Sequence, residues 1–429
     1  MALKLCLHGV RIARPETFAE DVAKRLKLTV EQGKLREKEY GDNLSARYRR
    51  SRLLGGPLLP FKVRVLEGIM LVNSHLYDLA DVEFSYSAGS EELVLEAVRR
   101  LLSGGDGFVL AEPDLKLRLA AVAGSSCPRL EGDAGRLDAM RHYLYWQVLI
   151  INWFWHLLYQ DPDNKLLVRQ ERVKIRRLRS CLVFFKEGLP EETVSYWQAF
   201  FREEADALSN MRELDAAALT CRRQREAGGE DADAPTLLLD LFLQLRQDEQ
   251  DKYFSRTFLN GHTEKLAEFM LWLNRLPKGG FKGLGKETAR HYAARRLHDW
   301  CGRMLALSKK YPDFSNMEDM HEIRIKVKRF RYVTQTITLA ELPMDLLRQL
   351  KQLQDVLGLL HDDYVNACWA KGIALQHPEE EELQKQIRSF LSWQNARSES
   401  LLAVVSEMWE HFLQMLQENE GKMKLKIKP

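Results

Sequence analysis

No apolar run in this 429-residue chain reaches the ~18–20 residues that a membrane-spanning helix requires. The nearest candidate, Trp146 to Leu158, is interrupted by Gln147, Asn152 and His156 and reads as a buried helix. The N-terminus lacks the basic, apolar, small-residue order of a secretion signal, because Lys4 and His8 break its short apolar stretch. Cysteine is sparse: the six (6, 127, 181, 221, 301 and 368) form no close pair for a zinc site or a redox motif. The expectation is a cytosolic protein with reduced thiols. There is no HExxH helix, no close His/Cys cluster and no GxSxG elbow, so no familiar zinc or serine-nucleophile chemistry is written here. An excess of one charge is missing too, since 64 basic residues face 61 acidic ones for a net +3. Disordered, collagen-like and disulfide-scaffold classes are excluded by the 45% hydrophobic content. The length suits two or three domains.

Charge is informative through its placement. Residues Lys165 to Lys186 hold eight Lys/Arg and one acid, Glu171; His321 to Arg331 hold five Lys/Arg and one acid, Glu322. Before about residue 130 the texture is mixed. Phe61-Lys-Val-Arg-Val-Leu66 and Asp81-Val-Glu-Phe-Ser-Tyr86 alternate as half-buried strands do, and Glu91 to Ser103 reads as an amphipathic helix ended by Gly104-Gly105. After Cys127-Pro128 the periodicity is helical, with breaks at Asp161-Pro-Asp163, Gly188-Leu-Pro190 and Pro277-Lys-Gly-Gly280. Ala227 to Pro235 reads as an acidic surface loop, and Lys422 to Lys428 as a solvated end.

The helical part repeats itself. Arg141-His-Tyr143 returns as Arg290-His-Tyr292, and Arg169 to Ser180 returns as His321 to Tyr332, with four of twelve pairs identical and four conservative. Asp206-Ala-Leu-Ser-Asn-Met-Arg-Glu213 returns as Asp355-Val-Leu-Gly-Leu-Leu-His-Asp362. The offsets of 149, 152 and 149 residues keep the three blocks in order, which implies a duplicated helical unit arranged about a pseudo-twofold axis.

On a helix, Arg169, Arg172, Arg176 and Arg179 share one stripe, beside an apolar stripe of Ile175, Leu178, Leu182 and Phe185. The second copy repeats this with His321, Arg324, Lys328 and Arg331 beside Ile323, Val327, Phe330 and Ile337. Lys174, Arg177, Lys326 and Arg329 widen the positive surface. The apolar stripes must face a core, so the cations next to them are drawn partly inward, where like charges repel. Protein carboxylates or a multivalent anion can relieve that repulsion, and carboxylates are scarce locally. A solvated basic face paired with distant acids such as the Glu379 to Glu382 run is the plain alternative for one helix; two copies of the same stripe favour an anion.

At these residues the chain resembles the conserved-histidine α-helical domain, or CHAD, family. His321 to Tyr332 is similar to the family's second-half helix, and Lys351, Gln354, Leu357, Gly358 and Asp362 to the block after it. The first copy departs from the pattern: Arg169 stands where the family has histidine, Ser209 replaces glycine and Glu213 replaces aspartate. The resemblance covers roughly residues 136 to 420. It implies a helical bundle that binds inorganic polyphosphate in a basic groove without turning it over, needs no cofactor, and associates with polyphosphate granules in the cytoplasm. Carried over by motif position, the contacts would be Arg169, Arg172, Arg176, Arg179, His321, Arg324, Lys328 and Arg331, helped by Lys174, Arg177, Lys326 and Arg329. Such members often carry an N-terminal triphosphate-tunnel, or CYTH-type, domain. The order here is similar, but the family's Glu-x-Glu-x-Lys first strand is reduced to Met1-Ala-Leu-Lys-Leu5, which implies a degenerate domain without triphosphatase activity.

The expectation is therefore a mainly α protein: a small α+β, CYTH-like region over 1–130, and a CHAD domain over 136–429 made of repeats at about 136–285 and 286–429. A metal-dependent triphosphatase or polyphosphatase is the first alternative; Asp81 and Glu83 are its candidate ligands, set against their reading as acids on a solvent-facing strand. Nucleic-acid binding through the same stripe is the second, disfavoured because no aromatics interleave with the cations. Gly280-Phe-Lys-Gly-Leu-Gly-Lys286 nearly matches a phosphate-binding loop, but the residues before it have helical periodicity where that motif needs a strand.

Overall fold

The computed structural model describes residues 3–11, 17–41, 44–56, 59–104, 107–122, 128, 130, 134–228, 235–276, 287–311, 317–339 and 342–427. The loop-like stretch Gly280 to Lys286 and most of the acidic stretch from 227 to 235 lie outside these residues. In chain order the first elements are β1 (Leu3–Arg11), α1 (Phe18–Leu26), β2 (Thr29–Glu31), β3 (Leu35–Gly41), β4 (Leu44–Leu54), β5 (Phe61–Val72), β6 (His75–Tyr86), α2 (Glu91–Leu102), β7 (Gly107–Leu110) and α3 (Leu115–Val122). Helices follow throughout: α4 (Arg136–Gln160), α5 (Lys165–Phe185), α6 (Glu191–Ala207), α7 (Ser209–Gly228), α8 (Thr236–Arg256), α9 (Leu259–Arg275), α10 (Ala289–Lys310), α11 (Met317–Thr336), α12 (Met344–Gln376) and α13 (Glu381–Ile427). The molecule is mainly α, with an antiparallel sheet at its N-terminal end. No helix among the described residues is long and apolar enough to cross a membrane.

Two compact units form, neither continuous in sequence. One is Met1–Pro128 with Met140–Asp163 and Thr257–Gly285; the other is Arg129–Ala139 with Asn164–Arg256 and Lys286–Pro429. In the first, the strands pair antiparallel in the order β2-β4-β5-β6-β1-β7, with β3 on β4. Asn73 and Ser74, both at positive φ (47° and 68°), make the tight β5–β6 turn. The register sets Cys6 opposite Glu83 and His8 opposite Asp81, so alternate residues separate into two faces. Leu5, Leu7, Val63, Val65, Val82 and Phe84 form one face, each at most 2% exposed. Helices α1, α2 and α9 pack on this unit's sheet.

The opposite face is not solvated, and this corrects the solvent-facing reading of Asp81 and Glu83: they are 1% and 4% exposed. Glu83 accepts from Arg50 (3.3 Å) and Arg64 (3.4 Å) and pairs with Lys4 (3.2 Å). Asp81 takes both terminal nitrogens of Arg118, at 3.0 and 2.7 Å. The alternation is that of a half-exposed strand, but α3 brings Arg118 over this face, and cations on neighbouring strands supply the charge that lets the carboxylates stay buried.

In the second unit, equivalent helices of the two copies meet. Helix α5 packs on α11 and α7 on α12, while α13 runs along α12 and α10. A core of Leu214, Ala218, Leu238, Phe242, Ile373, Leu383 and Phe390 joins α7, α8, α12 and α13.

Candidate functional site

Helix α5 begins where Asn164 accepts hydrogen bonds from the backbone amides of Leu166 (3.2 Å) and Leu167 (3.3 Å). It ends before Gly188, whose φ of 77° suits glycine, and Pro190. Its last carbonyls are taken up by side chains. Phe184 O accepts from Tyr292 (2.6 Å) and Arg296 (3.2 Å), and Phe185 O from Arg136 (3.3 Å). The helix is thus held at both ends. Ile175, Leu178, Leu182 and Phe185 are at most 1% exposed, as are Ile323, Val327, Phe330 and Ile337 of the second copy. At ~1.5–3 kcal/mol for each large side chain, this burial outweighs the cost of pulling the neighbouring cations inward.

Those cations converge. A cleft of about 430 Å³ is lined by Arg172, Arg176 and Arg179 from α5, His321, Arg324, Lys328 and Arg329 from α11, and Arg202 from α6. Its acids are Asp206 and Glu213, and His361 enters from α12. Arg172 and Arg324 are only 7% and 9% exposed, yet their Nε atoms are buried without a hydrogen-bond partner. Among the described residues neither of these two, nor Arg176, Arg179 or Lys328, makes an ion pair. Arg172 is steadied by the Ser209 hydroxyl at 2.8 Å, which in turn donates to Ala205 O at 3.2 Å. Ser209→Ala should cost about 1.5–3 kcal/mol of stability, the net worth of a hydrogen bond to a charged group, read as a lower denaturation midpoint at unchanged m.

The cost of gathering these charges appears in their protonation. Burial, then Arg176, pulls Arg172 down to about 9 and Arg324 to about 10. Burial with Arg202 and Arg329 takes Arg179 to about 10. Burial with Arg324 and Arg176 lowers Lys328 well below the ordinary lysine range. All three arginines remain charged at neutral pH, in a site whose own groups disfavour that charge. Two imidazoles join them, His321 and His361, with ring centroids 5.4 Å apart. Burial and then Arg324 lower both, His361 to about 3.

The twelve residues singled out from sequence do not all meet here. Seven line the cleft: Arg172, Arg176, Arg179, His321, Arg324, Lys328 and Arg329. Arg169 is exposed on the same stripe one turn beyond it. Lys174 is 6% exposed, and its charge acts on the fully buried Glu171. Arg177 donates to Gln335 (3.3 Å), Arg331 pairs with Asp355 (3.5 Å), and Lys326 is half-buried outside the lining. The copies are therefore used unequally: Arg172/Arg324 and Arg176/Lys328 contribute as pairs, while His321, Arg329 and Arg179 contribute without their equivalents. Sequence reasoning missed His361 and Arg202. His361 lay within the third repeated block, opposite Arg212, which pairs across the copies with Asp362 at 2.9 Å. Arg202 stands outside every repeated block and gave no signal.

A model of the CHAD domain family matches residues 152–371. No curated protein matches the chain in sequence. Among solved structures, the CHAD domain from the plant Ricinus communis is similar at 19% identity and a TM-score of 0.54, covering 66% of this chain and 95% of its own. PptA from Streptomyces chartreusis is similar at 14% identity and a TM-score of 0.51, covering 65% of this chain and all of its own. At such identities these two likenesses bear on the fold alone. The family match spans half of the chain and includes both duplicated helices, α5 and α11, so the chain belongs to the CHAD domain family.

Proposed function

We propose that the cleft between α5, α11 and α12 binds inorganic polyphosphate electrostatically and does not turn it over. The observation that carries this reading is the set of inward-drawn cations from two duplicated helices, Arg172, Arg176, Arg324 and Lys328, which make no ion pair among the described residues. A linear polyanion supplies many acceptors along a row. Guanidinium forks match phosphate oxygens in pairs, so each bound phosphate relieves repulsion and satisfies donors such as the buried Nε atoms of Arg172 and Arg324. The motif resemblance to the CHAD family points to the same ligand. Nothing in the lining supplies an activated nucleophile: Ser180 donates to the Arg176 carbonyl at 2.8 Å, and Ser209 is engaged with Arg172. The N-terminal unit belongs to this reading as a degenerate CYTH-like region, with Asp81 and Glu83 engaged by arginine and lysine.

The test is a titration of the full chain with long-chain polyphosphate at two salt concentrations, followed by competition with single-stranded RNA at equal phosphate. Saturable binding that weakens as salt rises, with release of counterions, is expected. RNA should displace the polyphosphate poorly, because no aromatic platform accompanies the cations. Absence of saturable binding, or equal displacement by RNA, would overturn the assignment. Incubation with magnesium or manganese should release no phosphate.

A further inference from the structure

The cleft does not end where its cations end. A second cavity, of about 410 Å³ and within the same unit, shares Glu213 and Val365 with it and continues between α7, α8 and α12. Along α12 the two are successive lengths of one groove. His361 and Val365 line the cleft; Val365, Cys368, Trp369, Gly372 and Gln376 line the second cavity, at the three- and four-residue spacing of a single helix face. From His361 to Gln376 that face runs for ~22 Å. The chemistry changes at the junction. Past Glu213 none of the described lining residues is a lysine, arginine or histidine: Leu245, Val365, Trp369 and Ile373 form the walls, and Cys368 and Gln376 are uncharged. Glu213 itself accepts from Trp369 Nε1 at 3.4 Å, and its charge acts on Arg172. It stands at the end of the cation row.

A phosphate chain that follows the cations therefore meets a carboxylate and then an apolar trough, and gains nothing by going on. A molecule with phosphates at one end and hydrocarbon at the other fills both lengths of the groove. The trough has the volume of a small-molecule site, and Gly372 keeps it open, since a Cβ there would meet nothing within 4 Å. We propose that the groove binds a phosphate-chain ester of an apolar alcohol. Its phosphates lie among Arg172, Arg324 and Lys328, and its hydrocarbon lies in the trough against Leu245, Trp369 and Ile373. This subsite rests on the assignment of the cleft to phosphate chains and adds a preference for what those phosphates are attached to.

Isothermal titration calorimetry of the full chain with geranyl diphosphate and with inorganic pyrophosphate tests it. The ester should bind at least about tenfold more tightly, the gain from burying as few as two methylene groups. Gly372→Leu, which fills the trough from a helix position that leucine suits, should abolish that gain and leave pyrophosphate binding unchanged. ATP, whose nucleoside is polar, should gain little over tripolyphosphate. Cys368 gives a second readout, because it is exposed while Cys6, Cys181, Cys221 and Cys301 are buried. In a Cys127→Ser background, geranyl diphosphate at ten times its dissociation constant should slow alkylation of Cys368 by N-ethylmaleimide about tenfold, and pyrophosphate should not. An ester that binds no better than pyrophosphate, a gain that survives in a Gly372→Leu variant melting normally, or a larger gain for ATP overturns the proposal. Should Gly372→Leu fail to fold, alkylation unaffected by saturating ester overturns it as well. Failure of the ester to bind a chain that binds long polyphosphate overturns this proposal alone; failure of all these phosphates to bind overturns the cleft assignment with it.

Discussion

Replacing Arg172, Arg324 and Lys328 together by methionine is expected to destroy polyphosphate binding and, at the same time, to raise the melting temperature of the unliganded chain. Most substitutions that abolish a site leave stability alone or lower it; here the sign is opposite because the site is assembled against its own interest. Arg172 is 7% exposed and lowered from an ordinary 12.5 to about 9. At 1.36 kcal/mol per unit, holding it charged costs on the order of 5 kcal/mol. Arg324, lowered to about 10, adds a similar amount, although the two costs share Arg176 and do not sum. Methionine follows the unbranched stems of these side chains, fills irregular gaps and carries no charge.

Buried ionic groups replaced by apolar ones of like volume often gain ~1–4 kcal/mol. For a unit of this size that corresponds to a melting temperature higher by about 5–10 °C. Differential scanning calorimetry with and without polyphosphate is the measurement. In the wild type, ligand should supply the stabilisation that the variant has built in; in the variant, ligand should add nothing. A variant that melts lower than wild type while losing the ligand would show that the cations are structurally paired, and that the cleft is not strained by them.

The helical repeat, both basic stripes and their apolar partners could be read from the chain because periodicity at 3.6 residues and recurrence at a fixed offset are properties of the sequence itself. Ile175, Leu178 and Phe330 lie where that periodicity puts them. What could not be read is which members of a stripe share a cavity. Arg331 and Arg179 occupy equivalent helix positions, yet Asp355 takes Arg331 while Arg179 stays in the cleft. That depends on where α12 lies against α11, a tertiary fact. Lys174 was misleading for a related reason, since a lysine beside a buried glutamate looks from sequence like one more surface cation. The burial of Asp81 was equally hidden. Strand alternation shows that two faces exist, and only the placement of α3 and Arg118 shows that both are covered.

Acidification should tighten the cleft's grip on polyphosphate. Without ligand, burial, Arg324 and Lys328 hold His361 at about 3, and burial with Arg324 lowers His321. The groups acting on His361 are Arg324, Lys328, Asp362 and His321, and those acting on His321 are Arg324, Glu322 and Lys328; cations dominate both sets. An unfolded histidine titrates near 6.5, so below that pH the unfolded chain binds more protons than the empty folded one. The stability of the empty protein therefore falls as pH drops from about 6.5 towards 3. A bound polyanion reverses the local field and favours the imidazolium forms. Binding then takes up protons, and affinity rises as pH falls.

His361, restored to the ordinary imidazole range, contributes about tenfold between pH 7.5 and 5.5, and His321 adds to the dependence in the same direction. The backbone phosphates of a long chain stay ionised throughout, so the ligand's own titration does not mimic the effect. Polyphosphate affinity measured at both pH values in wild type and in His361→Gln separates the contributions, because the variant keeps a polar side chain and should lose about one factor of ten from the pH dependence. An affinity that is flat across this range, or that weakens in acid, would place the phosphates away from the imidazole pair and shift the occupied part of the cleft towards Arg179, Arg202 and Arg329.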